Sequence, residues 1–176
     1  MTLEAFADTI VPGEKRHAGD RAVAGADSGG GAVAAGALDL LRDPATGLAP
    51  TLDSLVITLN EHAGRYATEH GLEPPDDVPP FVGLSFPDRT ALVAELTAPE
   101  HPEKAMWVGL ALFSNMAFDT GAHLATAEAF QQGHPGLLAI GYARPGPDGL
   151  WRFPSFSYGR RLADPHPRTT ATGSPA

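Results

Sequence analysis

Three polar residues in an otherwise apolar stretch, Asn115, Asp119 and His123, recur every four residues, so on a helix they would lie near one face. An Asp one turn before a His can hold the imidazole in a single tautomer, and an Asn beside them can orient a substrate or a carbonyl. That is the logic of a general acid/base pair. It gives one reading of the chain as an independent, cofactor-free enzyme using Asp119 and His123 beside Asn115. The same spacing also suits a polar seam that hydrogen-bonds neighbouring loops or another subunit, or the solvent stripe of an ordinary amphipathic helix.

Other chemistries find less to stand on. Of the seven histidines, His62 and His70 share a helix, each after a Glu, but two turns separate Glu61-His62 from Glu69-His70 and no His-x-x-x-His pair exists. Asp119 and His123 alone would supply only two ligands, so no metal is expected. Gly29-Gly30-Gly31 before a helix could present backbone N–H groups to an anion, yet no Lys-Ser or Lys-Thr follows and no GxGxxG is present. A close-packed turn explains the glycines better. Gly-x-Ser-x-Gly is missing, which leaves hydrolase chemistry without an anchor, and the absence of Cys removes disulfides and thiolate chemistry together.

The segment Gly149 to Arg161 combines Trp151, Arg152, Phe153, Phe156, Tyr158 and Arg160, the residue types that dominate interface energetics. It reads either as a partner-binding surface or as an aromatic lid on the helical core. Trp151, Phe153 and Ser155 alternate with Arg152 and Pro154, a pattern that would suit a short strand.

The elements that must position these groups are helical. Leu3, Phe6, Ala7 and Ile10 fall on one face of a helix that Pro12-Gly13 stops. After a polar loop from Gly13 to Ser28, a second helix is predicted from about Gly30 to Arg42, and a third from Pro50 to His70 with Gly71 as its cap. Leu52, Leu55, Val56, Leu59, Ala63 and Tyr66 form the buried stripe of that third helix. The prolines of Glu73 to Pro80 impose an extended connection. A fourth helix follows over Asp88 to Thr97, and a fifth is predicted to run from Pro102 to Gln131 as the long central helix, weakened at Gly109 and Gly121. The expectation is an all-α bundle of about five helices in one domain over residues 1–160, with an irregular aromatic C-terminal segment and a disordered tail over 161–176.

With 176 residues and 43% hydrophobic content, the chain is long enough to bury a real core. Residues 1–140 hold 7 Lys and Arg against 19 Asp and Glu, and residues 141–176 hold 5 against 2, so an acidic body of −12 carries a basic end of +3. The overall charge of −9 argues against a nucleic-acid partner. The longest apolar stretch, Met106 to Phe118, is interrupted by Ser114 and Asn115 and is too short to span a bilayer. The first residues lack a basic region followed by an apolar one, and also a twin arginine, so a soluble, cytoplasmic protein is expected, with export on a partner's signal left open.

The opening phrase LEAFADTIVPGE, followed after a polar loop by GGGAVAAGALDLL, resembles the start of the gluconate 2-dehydrogenase subunit 3 family, small helical partners of flavin-dependent dehydrogenases. Gly29 to Ala32 stand where that family has a Pro-Gly-Ala-like segment, and Tyr158-Gly159-Arg160 stands faintly where it has a YGGN-like phrase. The resemblance implies a non-catalytic small subunit that binds and stabilises a large flavoprotein of the glucose-methanol-choline (GMC) type. The FAD and the catalytic base would then belong to the partner, and this chain would bind no cofactor itself.

Overall fold

The computed structural model describes residues 1–142 together with 167 and 168. Among them all regular structure is helical: α1 (Thr2–Ile10), α2 (Ala37–Arg42), α3 (Leu52–His70), α4 (Pro80–Gly83), α5 (Phe86–Leu96), α6 (Lys104–Asp119), α7 (Thr126–Gln131) and α8 (Pro135–Ala139), with 3-10 turns at Pro44–Thr46 and Ala49–Thr51. The all-α expectation holds, with eight α-helices among the described residues in place of about five. The strand expected at Trp151 to Ser155, the aromatic segment, and the predicted disordered tail apart from Pro167 and Arg168 lie outside the described residues.

The first helix is more deeply enclosed than its predicted stripe. Of the predicted face Phe6 and Ala7 are fully buried while Leu3 and Ile10 are only partly so; Ala5 and Asp8, off that face, are buried as completely as Phe6, and α1 packs against α2, α3, α4, α5 and α6. Alanines at 5 and 7 make this possible, because their small side chains let neighbouring helices approach the backbone from several sides. The Phe6 ring sits 6.3 Å from that of Phe81 and 6.5 Å from that of Trp107, tilted against both. Around this cluster gather Leu41, Leu55, Leu59, Leu92, Leu96 and Leu110. Each such side chain fully removed from water contributes about 1.5 to 3 kcal/mol.

A polar loop was expected over Gly13 to Ser28; the structure shows one built around buried charges. Asp8 on α1 accepts from the amides of Gly13 (3.2 Å) and Ala24 (2.8 Å), and Asp20 accepts from Ala22, Val23 and the Arg16 guanidinium. Arg89 of α5, only 3% exposed, donates to the carbonyls of Arg21, Ala22, Val82 and Leu84. A loop whose backbone groups are satisfied by buried side chains is held as firmly as a helix. Gly31 shows why small residues stand there: a Cβ would lie 2.4 Å from the Val11 carbonyl, and Ala32 N donates to that same oxygen.

Two helix boundaries correct the predicted ones. The second helix begins regularly at Ala37, not near Gly30, since residues 32–36 form turns ending in Gly36 at φ +86. The central helix stops at Asp119, well short of Gln131, because Gly121 at φ +59 reverses the chain before α7 starts at Thr126. The third helix keeps its predicted end, capped by Gly71 at φ +63. The fifth starts at Phe86, where Ser85 receives the Asp88 amide as an N-cap. At the centre, α6 buries Trp107, Leu110, Ser114 and Ala117 and packs on α1, α2, α5 and α8. The two ends of α6 carry the polar groups considered next.

Candidate functional site

At the C-terminal end of α6, Asn115 Nδ2 donates to Asp119 Oδ2 at 2.8 Å, as the one-turn spacing requires. His123 does not continue that row. The helix ends at Asp119, and the reversal at Gly121 carries His123 over Gly36, where a Cβ would meet its Nε2 at 2.3 Å. Asp119 Oδ1 and His123 Nδ1 are both buried and both lack a hydrogen-bond partner, so no hydrogen bond joins the predicted acid/base pair. Burial pushes the His123 imidazole below its ordinary pKa, with the nearby Asp39 carboxylate acting in the opposite sense. His123 faces a cavity of about 320 Å³, also lined by Gly36, Asp39, Gln132, His134 and Pro135. His134, 6.2 Å away ring to ring, is occupied structurally: its Nδ1 accepts the Leu137 amide and caps α8, and its Nε2 contacts the Ala35 carbonyl at 3.1 Å.

At the N-terminal end of α6, the fold brings together residues that sequence spacing keeps apart. His62 from the middle of α3 meets His101 and Glu103, which flank Pro102 in the turn before α6. One ligand-capable atom from each lies within 4.8 Å of the others. His62 Nε2 is 2.8 Å from Glu103 Oε2, which also accepts from the indole N–H of the fully buried Trp107 at 3.2 Å. The hydrogen bond from His62 holds the Glu103 carboxyl below its usual range, against the upward push of partial burial. His101 Nδ1 accepts the Glu103 amide at 3.2 Å, and the exposed Arg65 guanidinium donates to His62 Nδ1 at 2.8 Å. Arginine has no acceptor, so His62 in this arrangement carries its proton on Nε2 and gives it to Glu103. A cavity of about 420 Å³ opens beside the cluster, lined also by Tyr66, Glu69 and Glu95.

Sequence reasoning sought metal ligands in pairs within one helix and therefore weighed His62 with Glu61 and the Glu69-His70 pair. His62 instead pairs with a turn 41 residues on. The one local signal was the His101-Pro102-Glu103 triplet, which places two ligand types on either side of a residue that fixes the backbone.

A third feature is apolar. Val108 and Leu112, one turn apart on α6, are 40% and 53% exposed, and Met106, on a different side of the helix, is 44% exposed. A second exposed set, Leu138, Ile140 and Tyr142, follows from α8. The predicted partner residues Trp151, Arg152, Phe153, Phe156, Tyr158 and Arg160 lie outside the described residues. No described helix is long and apolar enough to cross a membrane.

Among the described residues these features define a helical domain with a polar cluster at each end of its central helix. The chain belongs to DUF5987, a family of unknown function, whose model matches residues 1–176. That match names neither gluconate 2-dehydrogenase subunit 3 nor a flavoprotein partner. No curated protein and no solved structure matches the chain.

Proposed function

We propose that this chain is a non-catalytic accessory subunit that binds and stabilises a flavin-dependent oxidoreductase of the GMC type, in which the partner holds FAD and the catalytic base. The observation that carries this reading is the apolar strip of Val108 and Leu112 on α6. The central helix of a bundle ordinarily spends its apolar residues inward, and this one keeps large ones facing solvent in line with each other. The helical opening segment, enclosed as α1, agrees with the resemblance of that segment to small dehydrogenase subunits. Docking through α6 would bury the strip and supply the central apolar contact that stable interfaces need.

The test is co-expression of the full chain with a flavin-dependent oxidoreductase of the GMC type from the same organism. The expected result is a complex of both chains that carries the flavin's visible absorption, and a small chain that is colourless and inactive when purified alone. Turnover of a substrate by the purified chain without a partner would overturn the reading.

A second reading has its own observation. His123 lines a cavity, burial pushes its imidazole toward the neutral form, and its buried Nδ1 has no hydrogen-bond partner, features that support a role as a base. On this reading the chain is a cofactor-free enzyme using His123 with Asp119 and Asn115. Loss of a measured turnover in His123→Ala would select it over the accessory role.

A further inference from the structure

We propose that His62, His101 and Glu103 form a binding site for a divalent transition-metal ion of the zinc type, at the end of α6 opposite His123 and independent of the partner reading. Two imidazoles and one carboxylate are a ligand set that zinc accepts with a fourth position left for water. Zinc–nitrogen and zinc–oxygen bonds of about 2.0 to 2.1 Å place tetrahedral ligand atoms about 3.3 Å from each other. The atoms here bracket that spacing, with His62 Nε2 and Glu103 Oε2 closer together at 2.8 Å and one ligand atom of each residue within 4.8 Å of the others.

Two further features favour a cation. The carboxylate is already oriented by a buried neighbour, since Trp107 holds Glu103 Oε2 from the core side, and such outer hydrogen bonds fix the aim of a ligand. The adjoining cavity is also lined by Glu69 and Glu95, so three carboxylates and a single guanidinium, Arg65, surround it. A cation entering there meets a negative field in a recess with apolar walls at Leu92 and Leu96.

Coordination requires rearrangement at both imidazoles, and the one at His62 makes the proposal testable. A metal on His62 Nε2 takes the place of the proton now given to Glu103, and that proton moves to Nδ1. Nδ1–H cannot accept from Arg65, so the guanidinium must leave. Arg65 is exposed, and water replaces the lost contact. His101 likewise exchanges the Glu103 amide for a proton on Nδ1 if it ligates through Nε2. Arg65 therefore opposes the metal twice, by its charge and by the tautomer it enforces.

The experiment is titration of the full chain with Zn²⁺ by calorimetry, with Co²⁺ as a spectroscopic substitute whose visible bands report nitrogen and oxygen ligands. One ion per chain is expected. His62→Ala and His101→Ala should each weaken binding at least about tenfold. Arg65→Ala should tighten it a few-fold, the effect of removing one exposed charge. His70→Ala, on the same helix but outside the cluster, should leave it unchanged. Because Arg65 and His101 are not core residues, their variants keep the test informative if His62→Ala is poorly folded. Absence of binding by the unaltered chain would overturn the proposal, as would binding indifferent to His101→Ala or weakened by Arg65→Ala.

Discussion

The two ends of α6 hold similar residues in opposite conditions. At the N-terminal end His62, His101 and Glu103 are tied to each other, to Trp107 and to Arg65, so each known contact constrains the next. At the C-terminal end Asp119 and His123 each keep a buried atom without a partner, and the one bond within the row runs from Asn115 to the other carboxylate oxygen of Asp119. The contrast follows from how each group was assembled. The first depends on two elements packing together, and the second on one helix continuing, which Gly121 prevents. Sequence spacing detects only the second kind, and here it detected a row of which the Asn115–Asp119 pair forms and His123 does not join.

The comparison can be broken most severely at Trp107, which is completely buried and orients Glu103. Trp107→Ala should cost about 3 to 5 kcal/mol in urea unfolding. The same change should disorganise the N-terminal cluster while leaving the signals of His123 and His134 in NMR spectra unshifted. The reverse experiment is Gly36→Ala. It forces a Cβ into the His123 ring at a φ that disfavours side chains, and should cost about 1 to 3 kcal/mol while displacing His123 and sparing His62.

A third prediction concerns pH and the loop that joins α1 to the rest. Arg16 holds the Asp20 carboxyl far below its usual range. The unfolded chain therefore takes up a proton there, near pH 3.9, before the folded one does. Stability from this pair is complete above that pH and is lost as the pH falls toward the folded value. Asp20→Asn should flatten the acid limb of a stability-against-pH curve. Asp8 acts in the opposite sense, because burial raises its pKa, and the stability tied to its protonated form is lost as the pH rises through that value. Asp8→Asn should accordingly steepen the acid limb. The smallest effect is expected for Asn115→Ala, which removes one part-buried hydrogen bond and should cost about 0.5 to 1.5 kcal/mol.

Much of the fold was legible because it rests on local rules. The apolar stripe of α3 and its Gly71 cap and the Pro12-Gly13 stop are all decided within a few residues. The boundaries that differed were decided at a distance. Gly36 interrupts the second helix where the His123 ring lies against it, and Asp8, Asp20 and Arg89 organise a stretch whose composition suggested only a polar loop. The candidate sites divide in the same way. Asn115 to Asp119 was readable as one turn of helix, whereas the approach of α3 to the His101-Pro102-Glu103 turn has no counterpart in spacing or periodicity.

The proposed accessory role is tested most directly by size-exclusion chromatography of the chain co-expressed with a GMC-type oxidoreductase from the same organism, followed at the flavin's visible band. The account predicts that the two elute together, and that Leu112→Asp, on the exposed strip of α6, separates them while its circular dichroism stays that of the unaltered chain. Separate elution of the unaltered proteins, with the small chain alone turning over a substrate, would contradict it.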